Sequence, residues 1–258
     1  MSDRPKDTDR VDAWGRDGSG VPAIYRAAYD NWFHVSWEGI ENLPREGGAL
    51  LVANHAGVMP VDGAIVQHGV EREIGRPVYS LAHSGFWWVP FMGPLLSRSG
   101  AVNAHPSNAN RLLADEGQLV LVFPEGAKGP GKPRSERDRL QRFGRGGFVE
   151  TALRAGVPIV PIVLAGTEDV TPTIASFEIL GQQVPLSWNT LLLGPLGAIA
   201  YLPAKISVRV LEPVRFDEPA GEPSYPRSLL MDRSEAIRGR MQRTLDAMLR
   251  KRESIWRG

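Results

Sequence analysis

The chain contains no cysteine among its 258 residues, which removes disulfides, thiolate metal sites and a cysteine nucleophile from consideration. It has no large excess of either charge. With 30 Lys/Arg against 29 Asp/Glu the net charge is +1, so whole-molecule electrostatics favour no polyanionic partner and nucleic acid is not expected. Long apolar runs are missing as well. About 20 uninterrupted apolar residues are needed to cross a bilayer, and the stretches FWWVPFMGPLL and NTLLLGPLGAIAYLP are broken by Pro and Gly. The opening MSDRPKDTDRVDAWGRDGSG lacks the apolar segment of a secretory signal. Together these absences fit a cytoplasmic protein, one that meets a membrane from one side if it meets one at all.

Two catalytic signatures are absent too. No G-x-S-x-G nucleophile elbow occurs, and the nearest phrase, AHSGF, lacks the first glycine. A phosphate-binding loop is imitated by Gly126 to Lys132, but Pro133 stands where Ser or Thr must hold Mg²⁺. A nucleotide triphosphatase is therefore not expected.

What is present is a 42% apolar chain, enough for a sizeable core. Residues 1 to 20 read as a flexible polar tail and residues 21 to 258 as one domain. Continuous apolar strands (GALLVANH, QLVLVFPEG, VPIVPIVLAG) alternate with helical segments (VDGAIVQHGVE, PSNANRLLADEG, GGFVETALRAG). That alternation predicts an α/β domain, a largely parallel central sheet flanked by helices. The chain closes on a long helix, about 231 to 256, with an apolar stripe from Ile237 to Ile255 or Trp256. From Arg227 onward nine Lys/Arg face four acids, so the stripe is expected to lie against an anionic membrane.

The chemistry centres on strand ends. GALLVA runs into Asn54-His55, and Asp62 follows after a turn containing Gly57 and Pro60. Asp62 fits an N-cap for the next helix. It also fits a carboxylate folded back onto the imidazole, leaving the other ring nitrogen as a general base. At a second strand end, Pro124-Glu125-Gly126 presents either a solvated turn carboxylate or a glycine turn whose N–H groups approach an anion. The following run, Lys128, Lys132, Arg134, Arg137, Arg139, Arg142 and Arg145, is either a salt-bridged face or a phosphate site. The cluster Phe86, Trp87, Trp88, Phe91 and Met92 suits a headgroup belt or the wall of an acyl pocket.

With NHAGVMPVDG, FPEGAKG and VPIVPIVLAG in this order, the chain resembles the lysophospholipid/glycerol-phosphate acyltransferase superfamily from about Val35 to Asp169. The resemblance implies transfer of a fatty acyl group from an acyl-CoA or acyl-carrier thioester to a lipid hydroxyl, with no other cofactor and no metal. His55 would be the general base and Asp62 its orienting partner. Asn54, Glu125, Gly126 and Pro161 would belong to substrate-binding motifs, and Arg142 and Arg145 would take donor phosphates. The commonest first motif places the acid where Pro60 stands; this chain follows an H-x6-D variant. Where the second motif normally supplies Arg for the acceptor phosphate, His105 stands near the slot, with Arg111 after it. The resemblance also implies peripheral attachment to the inner face of the cell membrane. Two other functions remain open at this point: a thioester hydrolase using the same pair, and a non-catalytic peripheral lipid-binding protein.

Overall fold

The computed structural model describes residues 21, 23–55, 61–82, 99–126, 129, 132, 136–179, 182–194, 201–222 and 224–252. The polar tail, the aromatic cluster 86–92, Lys128, Arg134 and the end of the apolar stripe (Ile255, Trp256) lie outside these.

A first helix, α1 (Ala23–Asn31), leads into β1 (His34–Glu38), β2 (Ala49–Ala53) and α2 (Val61–Ile74). Strands β3 (Val78–Ala82) and β4 (Ala101–Asn103) follow, then the short α3 (Pro106–Asn110), continued by a π-turn over Arg111–Asp115. Next come β5 (Leu119–Val122), α4 (Gly147–Ala155) and β6 (Ile159–Ala165). A hairpin of β7 (Thr173–Ile179) and β8 (Gln182–Ser187), the short α5 (Trp188–Leu193), β9 (Lys205–Val210) and the long α6 (Arg227–Arg250) complete the order.

Seven strands form one sheet in the order β1-β9-β6-β2-β5-β3-β4. From β6 to β4 the neighbours are parallel, while β9 runs antiparallel to β6 and carries β1 parallel to itself. The expected largely parallel α/β sheet is therefore present. Both β2 and β6 are buried along their whole length, as continuous apolar strands covered on two faces should be.

The period-2 pleat divides the core. Leu50 and Val52 of β2 join one cluster, with α4 and α6; Ala49, Leu51 and Ala53 join another, with α1 and α2. Continuing that parity past the strand, His55 falls on the α2 side.

One expectation needs correction, and one element is not foreseen. The stripe of α6 does not face lipid: Ile237, Met241, Leu245 and Met248 are buried in the cluster shared with α4 and β6. Without them that face of the central sheet would be exposed, so burial in the core outweighs any gain from the membrane. The β7–β8 hairpin is not expected from the residues alone, because Pro185 in β8 argues against a strand and the period is weak. Among the described residues no helix is long and apolar enough to cross a membrane.

Pro161 sits inside β6, where an internal proline is normally excluded. Its missing donor falls where β9 leaves its partner. The ladder ends at Ile162 opposite Val210, the Leu211 N–H donates to the Pro161 carbonyl (2.9 Å), and pairing resumes at Ile159 with Val214. The proline thus stands at a break in the pairing, so no ladder bond is lost.

Candidate active site

His55 and Asp62 meet. The Nδ1 of His55 lies 2.7 Å from Asp62 Oδ2, and Asp62 is fully buried. Asp62 is the second residue of α2 and so sits inside the first turn, where the helix dipole favours a carboxylate. A carboxylate only accepts, so the Nδ1 proton points at Asp62 and Nε2 is left with its lone pair. The imidazole side chain is 21% exposed, enough for a reactant to reach it. Its ring lies over that of Phe123, at the end of the adjacent β5, with centroids 4.6 Å apart and 32° between planes. Behind the pair, Tyr201 has its hydroxyl pKa pushed well up by burial, by its contact with Tyr25 and by the nearby charge of Asp62.

Asn54 extends the sheet rather than facing a ligand. Its Nδ2 donates to the Leu164 carbonyl at 3.0 Å, and its Oδ1 accepts from the Leu164 N–H at 2.8 Å. The side-chain amide replaces one more peptide of β2 against β6, which fixes the backbone immediately before the base. Each such bond contributes about 1 kcal/mol.

Glu125 is also occupied. Only 4% exposed, it accepts from the His55 N–H at Oε1 (3.0 Å) and from the Gln141 N–H at Oε2 (2.7 Å). Burial raises its pKa, while the two amides and Lys132 act to lower it. The carboxylate therefore clamps three segments together: the end of β2, the turn after β5 and the loop leading to α4. That corrects the solvated-turn expectation. Gly126 adopts φ 57 and spends its N–H on the Phe123 carbonyl (3.0 Å), closing a turn instead of offering the amide to an anion. Nothing in its sequence context singles out Gly129, yet a Cβ there would lie 2.4 Å from the His55 carbonyl oxygen. Its chain passes against the base's own backbone.

Two of the five described cations of the basic run are moored to acids, and one of those acids also takes a cation from the C-terminal segment. Lys132 Nζ lies 2.7 Å from Glu168 Oε1, Arg137 pairs with Asp169, and Arg252 of the C-terminal segment reaches Asp169 as well. Burial pushes the Glu168 pKa up, against the pull of Lys132. Arg139, Arg142 and Arg145 remain exposed. Arg139, Arg142 and Arg238 line a groove of about 370 Å³ that also borders Gln141, the residue whose amide holds Glu125.

The remaining candidates lie apart from the pair. His105 is exposed three strands away, where its Nδ1 caps α3 by accepting from the Ser107 N–H at 3.2 Å. Arg111 forms an ion pair with Glu116 at 3.1 Å within its own turn. Pro161 is buried in the sheet opposite Val52. Among the described residues no group of three or more His, Asp or Glu is arranged to hold a metal.

A buried Asp orienting a partly exposed His at the carboxyl edge of a parallel sheet is the geometry that base-catalysed transfer or hydrolysis requires. Comparison with known proteins narrows the class. The Acyltransferase family profile matches residues 34–165, and the chain belongs to that family. An uncharacterized protein of Mycobacterium tuberculosis is 37% identical over 96% of this chain and 72% of its own length. The chloroplastic 1-acyl-sn-glycerol-3-phosphate acyltransferase LPAT1 of Arabidopsis thaliana is 28% identical over 55% of this chain, which spans 39% of that enzyme. The crystal structure of the 1-acyl-sn-glycerophosphate (LPA) acyltransferase PlsC from Thermotoga maritima superposes with a TM-score of 0.58 at 20% identity, covering 90% of this chain and 78% of that one. This last likeness establishes the shared fold.

Proposed function

We propose that this protein transfers a fatty acyl group from an acyl-CoA or acyl-carrier thioester to the hydroxyl of a glycerolipid or lysophospholipid. The observation that carries the reading is the His55–Asp62 pair, 2.7 Å apart with Asp62 buried, in a chain of the Acyltransferase family. The acceptor O–H gives its proton to His55 Nε2 as its oxygen attacks the thioester carbonyl. The C–S bond then breaks, the ester forms, and the departing thiolate takes the proton from the imidazolium. Asp62 holds the ring and balances the positive charge that it carries between the two steps. The relatives named as 1-acyl-sn-glycerol-3-phosphate acyltransferases favour a lysophosphatidate-type acceptor.

Arg142, which with Arg139 lines the groove beside Gln141, and the exposed Arg145 would take substrate phosphates. Peripheral work at the inner face of the cell membrane follows from the substrates' acyl chains.

Incubation of the protein with radiolabelled oleoyl-CoA and vesicles containing lysophosphatidate tests the reading. Label appearing in phosphatidate with the wild type, and absent with His55→Ala, supports it. Label appearing only in free oleate identifies a hydrolase instead.

A further inference from the structure

The loop that leads into α4 takes its shape from side chains. From Asp138 to Gln141 the chain lies in neither helix nor strand. Asp138 has φ 62, and among the described residues it alone, glycines aside, adopts that left-handed region. A backbone of this kind keeps one shape only where its polar groups are committed. Each of them, from the Asp138 amide to the Gln141 amide, has a partner. The Asp138 N–H donates to Glu168 Oε1 (3.1 Å), the Arg139 N–H to the Glu136 carbonyl (3.1 Å), and Lys132 Nζ to the Arg139 carbonyl (3.3 Å).

Most of the remaining partners come from one face of α6. Ser234, Arg238 and Gln242 are spaced one turn apart and so form a row. Ser234 Oγ donates to the Phe143 carbonyl and Arg238 Nη1 to the Leu140 carbonyl, each at 3.3 Å. Gln242 grips the loop twice: its Oε1 accepts from the Leu140 N–H at 2.7 Å, and its Nε2 donates to the Asp138 carbonyl at 3.1 Å. Asp246, a turn further on, accepts from the same Nε2 at 2.8 Å, which fixes which way the amide points.

The loop held in this way carries one more amide, that of Gln141, to Glu125 Oε2 at 2.7 Å, and Glu125 Oε1 takes the His55 N–H at 3.0 Å. A continuous path therefore joins α6 to the main chain of His55. Leu140 is buried, so removal of the Gln242 oxygen strands an amide that water does not readily reach, and the loop must move to satisfy it. That movement shifts the Gln141 amide and loosens one of the two bonds that set the Glu125 carboxylate.

We propose that Gln242 is a positioning residue: by fixing the Asp138–Gln141 loop it holds Glu125, and through Glu125 the backbone that carries the His55 imidazole. Its effect on rate rests on the acyl-transfer reading, whereas the structural link does not.

The variant Gln242→Met tests it, since Met keeps the length and helix propensity of the side chain and loses both polar groups. Amide hydrogen exchange is followed by NMR on the full chain without substrate. Exchange at His55 should become at least about tenfold faster, while the Leu164 amide, held by the neighbouring Asn54, should keep its wild-type rate. General loosening would accelerate both. Ser234→Ala, a milder change in the same row, should speed His55 exchange about threefold and serves as the readout if the Met variant melts early. In the acyl-transfer assay Gln242→Met should lower kcat about tenfold with KM little changed, because the imidazole is displaced and no substrate contact is removed. Combined with Glu125→Gln, it should cost nothing further, since both changes cut the same path. The exchange arm needs no substrate, so it decides the proposal independently of the acyl-transfer reading. Unchanged His55 exchange in both variants, equal acceleration at His55 and Leu164, or rate losses that add in the double variant would each overturn it.

Discussion

The middle of the sheet's carboxyl edge and the projection built on β7, β8 and α5 spend their residues in opposite ways. In the middle, polar side chains are buried and turned inward: Asp62 on the imidazole, Asn54 on the backbone of β6, Glu125 on two amides. On α5 the apolar side chains face out, with Leu191, Leu192 and Leu193 all more than half exposed. Burying ionisable and amide groups is costly unless each finds a partner, and leaving leucine in water is costly unless something covers it. The first region meets its cost within the fold and gains one rigidly held imidazole. The second leaves its leucines exposed. The division implies that changes in the middle should disturb chemistry and stability, while changes on the projection should leave both intact.

The largest expected effect is at the base. Replacing His55 by Ala should lower acyl transfer by about 10³-fold or more, since no described neighbour offers a second base. Steady-state kinetics with the purified variant, alongside its melting curve, separate this from misfolding. Asp62→Asn comes next, with a loss of about 10²-fold carried by kcat. The amide can donate to Nδ1 and stabilise the wrong tautomer, and chemical-shift measurements on the imidazole nitrogens would report that change. Asn54→Ala tests the frame: it leaves the Leu164 N–H and carbonyl without their buried partner, and urea unfolding should show a loss of about 2 kcal/mol.

A smaller effect appears in pH dependence. Glu168 has a folded-state pKa raised above its ordinary value of 4.5, chiefly by burial. The folded protein therefore binds this proton before the unfolded chain does. The resulting stabilisation is fully present below the unfolded value and is lost as pH rises through the folded one. Relative to Glu168→Gln, the wild type should gain stability as pH falls from neutrality towards 4.5. Parallel slopes for the two proteins would contradict this. Smallest of all, Leu192→Glu should leave unfolding free energy within about 0.5 kcal/mol of wild type, because the side chain is already in water. A large loss there would erase the distinction between the two regions.

Much of the middle is legible in the residues themselves. An apolar run stopped by Asn54-His55 marks a buried strand ending in an imidazole, and the later Asp62 marks a carboxylate returning to it. The place of Glu125 is legible but its role is not. Its partners are the backbone amides of His55 and Gln141, and a main-chain donor leaves no trace in residue identity. Gly129 is hidden for the same reason, since what it must avoid is a carbonyl far away in sequence. The stripe on α6 is plain in its spacing. Periodicity shows that a face is apolar and does not show what covers it, and here the cover is β6 and α4. The hairpin escapes a pattern-based reading because Pro185 breaks the strand signal, and the apolar projection that follows it then has no assigned place.

The central claim is that His55 deprotonates a lipid hydroxyl for attack on a thioester. The most direct measurement is free thiol release from palmitoyl-CoA with and without lysophosphatidate, for wild type and His55→Ala. Release that requires the acceptor and disappears in the variant is the predicted result. Release that ignores the acceptor, or survives the loss of His55, would contradict it.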